Sequence, residues 1–126
     1  HHLRFSSNKH KADNKIVPAC VFTEPQIASV GLNHENALAA GLPVKIHKFY
    51  FRGSAMAHIL DETEGFIKII SNQETQEVIG AGIIGPLASE LIAILSMAIS
   101  AHQTVSQIRA MIFAHPTLSE SIHETV

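Results

Sequence analysis

Cysteine is scarce in this chain: its 126 residues include a single cysteine, Cys20. One cysteine excludes a disulfide within the chain and is typical of a reducing compartment, so we expect a cytoplasmic protein. Cys20 lies in an apolar run that favours a strand. The sequence therefore predicts a buried, inert thiol at this position rather than a nucleophile.

An excess of charge of one sign is also absent. The formal net charge is −2, and the 46% hydrophobic content argues against disorder. No basic stripe indicates nucleic-acid binding. Apolar runs stay short of the roughly 18 residues that a membrane span needs. The longest candidate, residues 87–99, is interrupted by Ser89, Glu90 and Ser96. We expect neither a nucleic acid nor a membrane as a partner.

Several signatures of catalytic and cofactor sites are missing. The sequence contains no G-x-S-x-G and no H-E-x-x-H. A G-x-G-x-x-G spacing occurs at residues 80–85, but it falls within a predicted strand and not in a turn between a strand and a helix, so no dinucleotide-binding loop is predicted. The nine histidines nevertheless raise the question of a metal site. Three of them are near the start and five more are scattered over different predicted elements: His1, His2, His10, His34, His47, His58, His102 and His123. Without ligand spacing, the sequence predicts no metal centre.

The first 15 residues differ in character from the rest. They are polar, show no period, begin without methionine and lack a signal-peptide pattern. We interpret residues 1–15 as a tag or linker remnant without ordered structure, and residues 16–126 as one domain.

Hydrophobic spacing predicts strands that are followed by helices. Strands are predicted at 16–23, 27–30, 44–51, 65–70 and 78–85, with a further extended piece at 54–59 and the two runs at 65–85 forming a hairpin. A short helix capped by Asn33 separates the early strands. Further helices are predicted at 87–99, after Thr104, and from Pro116–Thr117 onward. The order indicates an α+β fold with an antiparallel sheet of about five strands packed against helices.

The predicted helix at 87–99 is apolar almost all round. Its apolar positions follow helical spacing on one side, and Ala88, Ile94 and Met97 add apolar surface on the other. Such a helix is usually buried on several sides. We interpret it as part of a subunit interface as well as of the core; a central helix in an ordinary monomer is the alternative.

The most informative segment is Ala114-His115-Pro116-Thr117-Leu118-Ser119-Glu120. It resembles the His-Pro-Thr-x-Ser-Glu motif that ends the flavin-dependent, pyridine nucleotide-disulfide oxidoreductases. Four further segments are similar to parts of the same domain of that family, in the same order: 22–31, 64–69, 78–86 and 89–92. Within the family, Leu118 favours the dihydrolipoamide dehydrogenases.

The resemblance implies a C-terminal dimerisation (interface) domain of a larger flavoenzyme. The intact homodimer would hold FAD, NAD and a redox-active disulfide, oxidise dihydrolipoamide, and serve the lipoyl domains of 2-oxo acid dehydrogenase complexes. With one cysteine and no dinucleotide loop, this chain alone is predicted to be inactive and to carry no cofactor. Alternatives are the equivalent domain of another flavin disulfide reductase, such as a glutathione reductase, and a standalone dimerisation module without chemistry.

By the same resemblance, His115 is a catalytic acid–base that works in the partner subunit's active site, with Glu120 as its carboxylate partner. His115 and Pro116 would lie beside the partner's flavin, and the His115-Pro116 bond would be cis. Two other interpretations stay open. His115 would otherwise be a buried, satisfied histidine. Thr117 to Glu120 also has the spacing of a capping box, which needs no chemistry.

Overall fold

A computed structural model of the protein describes residues 16–126. The predicted tag or linker remnant at residues 1–15 lies outside the described residues. Ten helices and strands follow one another: β1 Ala19–Val21, β2 Gln26–Gly31, α1 His34–Ala39, β3 Val44–Tyr50, α2 Ala55–Ile59, β4 Phe66–Asn72, β5 Val78–Gly85, α3 Ala88–Ser100, α4 Val105–Ala110 and α5 Glu120–Thr125. A 3₁₀ turn at Phe51–Gly53 links β3 to α2.

The strands form one five-stranded sheet in the order β1-β2-β5-β4-β3, with every neighbouring pair antiparallel. The predicted fold class and strand number are confirmed. The β4–β5 hairpin, also predicted, contributes two of the three inner strands. Because every neighbouring pair is antiparallel, this sheet needs no crossover connection between parallel strands.

The core lies on one face of the sheet. Residues directly opposite each other in an antiparallel register point to the same face, so Ala28, Ile83 and Ile67 form one inner row. All three are buried. Helix α3 contacts β2 and β5, whereas α5 contacts β3 and β4. From the two helices the core takes Ala88, Leu91, Ile92, Leu95, Ala98, Ile99 and Ile122. The predicted apolar helix thus provides much of the core.

Two predicted elements are corrected. Within the segment predicted to be extended, Ala55–Ile59 is helical, because the Ser54 hydroxyl caps the helix by accepting from the Ala57 N–H and Ala57 is completely buried. Five residues are too few to show a helical period, so the pattern was uninformative. β1 is shorter than predicted. Continuing its register with β2 would place Pro18 opposite Val30, and proline has no N–H to donate.

Two glycines of β5, Gly80 and Gly82, differ in how closely other backbone approaches them. At Gly80, a Cβ would lie 1.8 Å from the Leu32 carbonyl oxygen. At Gly82 the nearest atom, the Ala28 carbonyl oxygen, would be 3.9 Å away, which is ordinary contact. Of these two glycines, only Gly80 is in a position that cannot accommodate a side chain.

Replacing Gly80 with alanine should destabilise the fold by about 1–3 kcal/mol, because the Leu32 backbone must move to accommodate a methyl group. Gly82→Ala is the matched control on the same strand and should change stability by less than about 1 kcal/mol. Urea unfolding of both variants measures the difference. Equal losses at the two positions would contradict the steric argument.

Candidate acid–base site

The candidate site lies in the connection between α4 and α5. Helix α4 ends at Ala110, and residues 111–119 form no regular element. Leu118 is 6% exposed and Ile122, one turn along, is completely buried. These two side chains fasten the connection to the core. His115 lies on the outer side of that anchor, with its side chain 71% exposed, and the His115-Pro116 bond is cis, as expected. The alternative of a buried, satisfied histidine is wrong.

His115 and Glu120 meet side chain to side chain. His115 Nδ1 lies 2.8 Å from Glu120 Oε1 and 2.9 Å from Oε2. A carboxylate accepts hydrogen bonds, so we assign the proton of the neutral ring to Nδ1. That leaves Nε2 as the basic nitrogen, and it has no hydrogen-bond partner among residues 16–126. The pair has the geometry of an imidazole base oriented by a carboxylate.

Glu120 also takes part in a capping arrangement. The Thr117 N–H donates to Glu120 Oε1 over 3.2 Å, and the Glu120 N–H donates to Thr117 Oγ1 over 3.2 Å. These reciprocal bonds are those of a capping box. The two interpretations of Glu120 are therefore compatible, because one carboxylate serves both partners.

The start of the last helix is corrected. Regular α-helix begins at Glu120, whereas the sequence placed it at Pro116–Thr117. The intervening turn is tighter: the Ser121 N–H donates to Leu118 and the Ile122 N–H to Ser119, three residues back in each case. Tight turns of this kind are frequent where α-helices begin.

The His115 hydrogen bond is the main reason why the pKa of Glu120 lies below its ordinary value. Partial burial opposes this shift, and the Thr117 N–H adds to it. Glu120 is therefore charged at neutral pH. A fixed negative charge beside Nδ1 holds the ring in one orientation.

In the described part of the chain, the remaining histidines do not form a cluster. No group of three potential metal ligands occurs within residues 16–126. Each of four histidines has its own partner: His47 with Ser71, His58 with the Arg52 carbonyl, His123 with the Arg109 carbonyl and His102 with Glu77. Burial, helped by Lys45 and Arg109, lowers the pKa of His47 and favours its neutral form.

A second histidine–carboxylate pair was missed by the sequence analysis. His102 Nδ1 lies 2.6 Å from Glu77 Oε1, although 25 residues separate them. The isolated bridge between Glu77 and Thr104 brings the two segments together, and nothing in the local pattern signals it. His102 is 78% exposed, and exposed pairs contribute little to stability. The His102–Glu77 pair can therefore serve as a control for experiments on the His115–Glu120 pair.

Cys20 was expected to be buried. Its side chain packs against the core but is only half-buried. Its position in β1, the edge strand, explains the remaining exposure. In the part of the chain that the structure describes, no helix is both long and apolar enough to cross a membrane.

Comparison with known protein families identifies the family to which the chain belongs. The profile of the pyridine nucleotide-disulphide oxidoreductase dimerisation domain matches residues 17–126. The chain belongs to this family. The match reaches to the last residue and includes both His115 and Glu120, so the expected family resemblance is confirmed.

Similar members of the family include dihydrolipoyl dehydrogenases. That of Chlamydia muridarum is 43% identical over 115 residues, covering 91% of this chain and 25% of the relative. That of Bacillus subtilis is 38% identical over 117 residues, covering 93% and 25%. The chain thus spans about a quarter of the length of these relatives.

Solved structures of the family show the same fold. LpdA from Mycobacterium tuberculosis superposes with a TM-score of 0.83 at 33% identity, covering 88% of this chain and 24% of that one. The HOCl-induced flavoprotein disulfide reductase RclA from Escherichia coli gives 0.83 at 30% identity, covering 86% and 25%.

The Glu120 carboxyl should titrate below its ordinary value, and His115→Ala should move the midpoint upward because it removes the largest cause of the shift. Carboxyl ¹³C shifts followed against pH measure this. His102→Ala, which dissolves the other pair, should leave Glu120 unchanged. An unmoved Glu120 midpoint in His115→Ala would contradict the pairing.

The same shift has a consequence for stability. A carboxyl with a lowered pKa in the folded state stabilises the fold above its unfolded pKa, and this contribution is lost as the pH falls through the lowered value. The stability difference between wild type and Glu120→Gln should therefore shrink as the pH drops below the ordinary value of 4.5.

Proposed function

We propose that this domain forms the homodimer of a dihydrolipoamide dehydrogenase-like flavoenzyme and supplies His115 and Glu120 to the partner subunit's dithiol/disulfide site. The observation that carries the proposal is the outward-facing pair: Nδ1 of His115 is held by a carboxylate, while the ring is 71% exposed. A base held in this way within one subunit is suited to act on a group outside it.

Exposed apolar side chains in the α4–α5 connection and on α3 support the homodimer. Ile112 is 98% exposed and Met111 53% exposed, in the same connection as His115. On α3, Met97 is 73% exposed. Apolar surface of this kind often marks an interface, and a two-fold dimer is the commonest arrangement.

The chemistry of the pair suits the oxidation of a dithiol. A thiolate attacks a disulfide, whereas a thiol does not, and a free thiol with a pKa of about 8.5 is mostly protonated at neutral pH. His115 Nε2 would take the proton from one substrate thiol. The thiolate would then attack one sulfur of the enzyme disulfide, forming a mixed disulfide with it and releasing the other enzyme sulfur as a thiolate. The charged Glu120 would stabilise the imidazolium until the proton is passed on.

The remaining machinery would lie in the part of the protein that precedes this domain. With one cysteine and no dinucleotide loop, this chain would contribute only to the edge of the partner's flavin site, through His115 and Pro116. Pro116 is exposed next to His115, which is compatible with that contact. When bound in the intact enzyme, FAD supplies the electron transfer between the dithiol and NAD. Lipoyl domains as partners and a cytoplasmic location stay predictions.

A wider disulfide reductase class is the second candidate, favoured by the likeness to RclA at 30% identity. The preceding sequence separates the candidates. A G-x-G-x-x-G loop and a C-x4-C pair ahead of this domain support a flavin disulfide reductase, and activity with dihydrolipoamide rather than with glutathione disulfide identifies the subclass. Their absence would favour a standalone dimerisation module.

In the intact protein, His115→Gln should lower kcat/KM for dihydrolipoamide oxidation by about 10²–10⁴-fold, the usual loss when a general base is removed. Steady-state NAD reduction measures it. His102→Gln is the control, because it removes an exposed histidine that also pairs with a carboxylate. Equal rates for wild type and His115→Gln would refute the proposed role.

Glu120→Gln in the intact protein should cost less than His115→Gln, because it removes the charge but keeps an acceptor for the cap. The double variant should resemble His115→Gln alone, since Glu120 would act only through His115. If the losses multiply in the double variant, the two residues work independently and the pair is wrong.

Self-association should weaken when the exposed apolar surface is made acidic. Ile112→Asp and Met97→Glu are each expected to raise the dimer dissociation constant of this chain by about tenfold or more, which corresponds to about 1.4 kcal/mol. Sedimentation velocity over a concentration series measures it. Val21→Asp is the control, because Val21 is also exposed but lies on the face of the sheet that points away from the core. A wild-type chain that stays monomeric at high micromolar concentration would count against this surface.

A further inference from the structure

We propose that Thr117 is the positioning residue of the His115–Glu120 pair, and that its hydroxyl fixes the separation of the two side chains. The catalytic meaning of this inference rests on the proposed function, but the positioning itself concerns the pair alone. Three hydrogen bonds of Thr117 to the backbone and side chains of the connection carry the argument.

The Thr117 hydroxyl bridges two stretches of backbone. It donates to the Ala114 carbonyl oxygen over 2.6 Å and accepts from the Glu120 N–H over 3.2 Å. Ser119 Oγ lies 3.1 Å from the same oxygen. Since the Thr117 proton is used on Ala114, Ser119 is the donor in that contact. The hydroxyl is thus satisfied as donor and acceptor, and the residue is half-buried.

These two stretches are the ones that carry the pair. The Ala114 carbonyl belongs to the peptide bond whose nitrogen is that of His115, so fixing it restrains the backbone from which the imidazole extends. The Glu120 N–H belongs to the residue that supplies the carboxylate. A third bond, from the Thr117 N–H to Glu120 Oε1 over 3.2 Å, holds the carboxylate itself. One residue therefore restrains both partners.

An ordinary capping box would not make the first of these bonds. Thr104 shows the comparison within the same chain: its side chain accepts from the Gln107 N–H, and the Gln107 side chain accepts from the Thr104 N–H. Thr117 makes the same reciprocal pair with Glu120 and, in addition, ties the hydroxyl back to Ala114. The added bond joins the cap to His115, which a cap for helix stability does not need.

The test compares Thr117→Val, which keeps the shape and removes the hydroxyl, with Thr117→Ser, which restores it. In ¹⁵N NMR of this chain, Thr117→Val should lower the Nδ1–H tautomer population of His115 and move the Glu120 carboxyl midpoint upward. Thr117→Ser should restore both. Core methyl shifts show whether each variant keeps the fold.

Thr104→Val is the matched control, because it removes a capping hydroxyl of the same type at α4. It should lower the melting temperature while leaving the His115 tautomer and the Glu120 midpoint as in the wild type. If Thr117→Val behaves in the same way, with lost stability and an unchanged pair, Thr117 is a cap alone and the inference is overturned.

Activity of the intact protein separates this inference from the proposed function. Thr117→Val should lower kcat/KM by about 10–100-fold through misplacement of His115, and Thr117→Ser should recover most of the loss. If His115→Gln leaves activity unchanged, the proposed function fails, while the NMR comparison still decides whether Thr117 positions the pair. If His115→Gln is inactive but Thr117→Val is fully active, the positioning inference fails by itself.

Discussion

Burial of Leu118 and Ile122 against the sheet is the interaction on which the candidate site depends. Both side chains belong to the core, and burying each stabilises the fold by about 1.5–3 kcal/mol. A single hydrogen bond in the connection contributes about 0.5–1.5 kcal/mol net. The apolar anchor therefore fixes where the connection lies, and the hydrogen bonds then set the orientation of the side chains on its outer side.

Two helices share the apolar inner face of the sheet. The side chains on this face are apolar across the five strands, and α3 and α5 each cover different strands. With α3 over β2 and β5, the remaining space above β3 and β4 is filled by α5. Helix α5 can begin only where the chain reaches that space. The site is placed by the same packing that completes the core.

His115 and Glu120 are close in sequence, and the His115 side chain is largely exposed to solvent. Five residues separate His115 from Glu120, so the hydrogen bonds between them form within one short segment. The ring is 71% exposed, and Ile112, three residues earlier in the chain, is the most exposed large apolar side chain among the described residues. The proposed partner subunit would cover both. The His115–Glu120 pair differs from the solvated His102–Glu77 pair in that its carboxylate also accepts a hydrogen bond from the N–H of Thr117 in the capping box.

The sequence by itself determined the features that rest on local spacing. The α+β class, the β4–β5 hairpin and the capped helix α1 follow from residues close together in the chain, whereas the pairing of His115 with Glu120 was expected from the family resemblance. The tertiary structure decided what local patterns do not encode: the five-residue helix α2, the late start of β1, the exposure of His115 and the joining of Glu77 to His102. The physical reason is that burial and strand register depend on residues far apart in sequence, which come together only when the sheet and its helices pack.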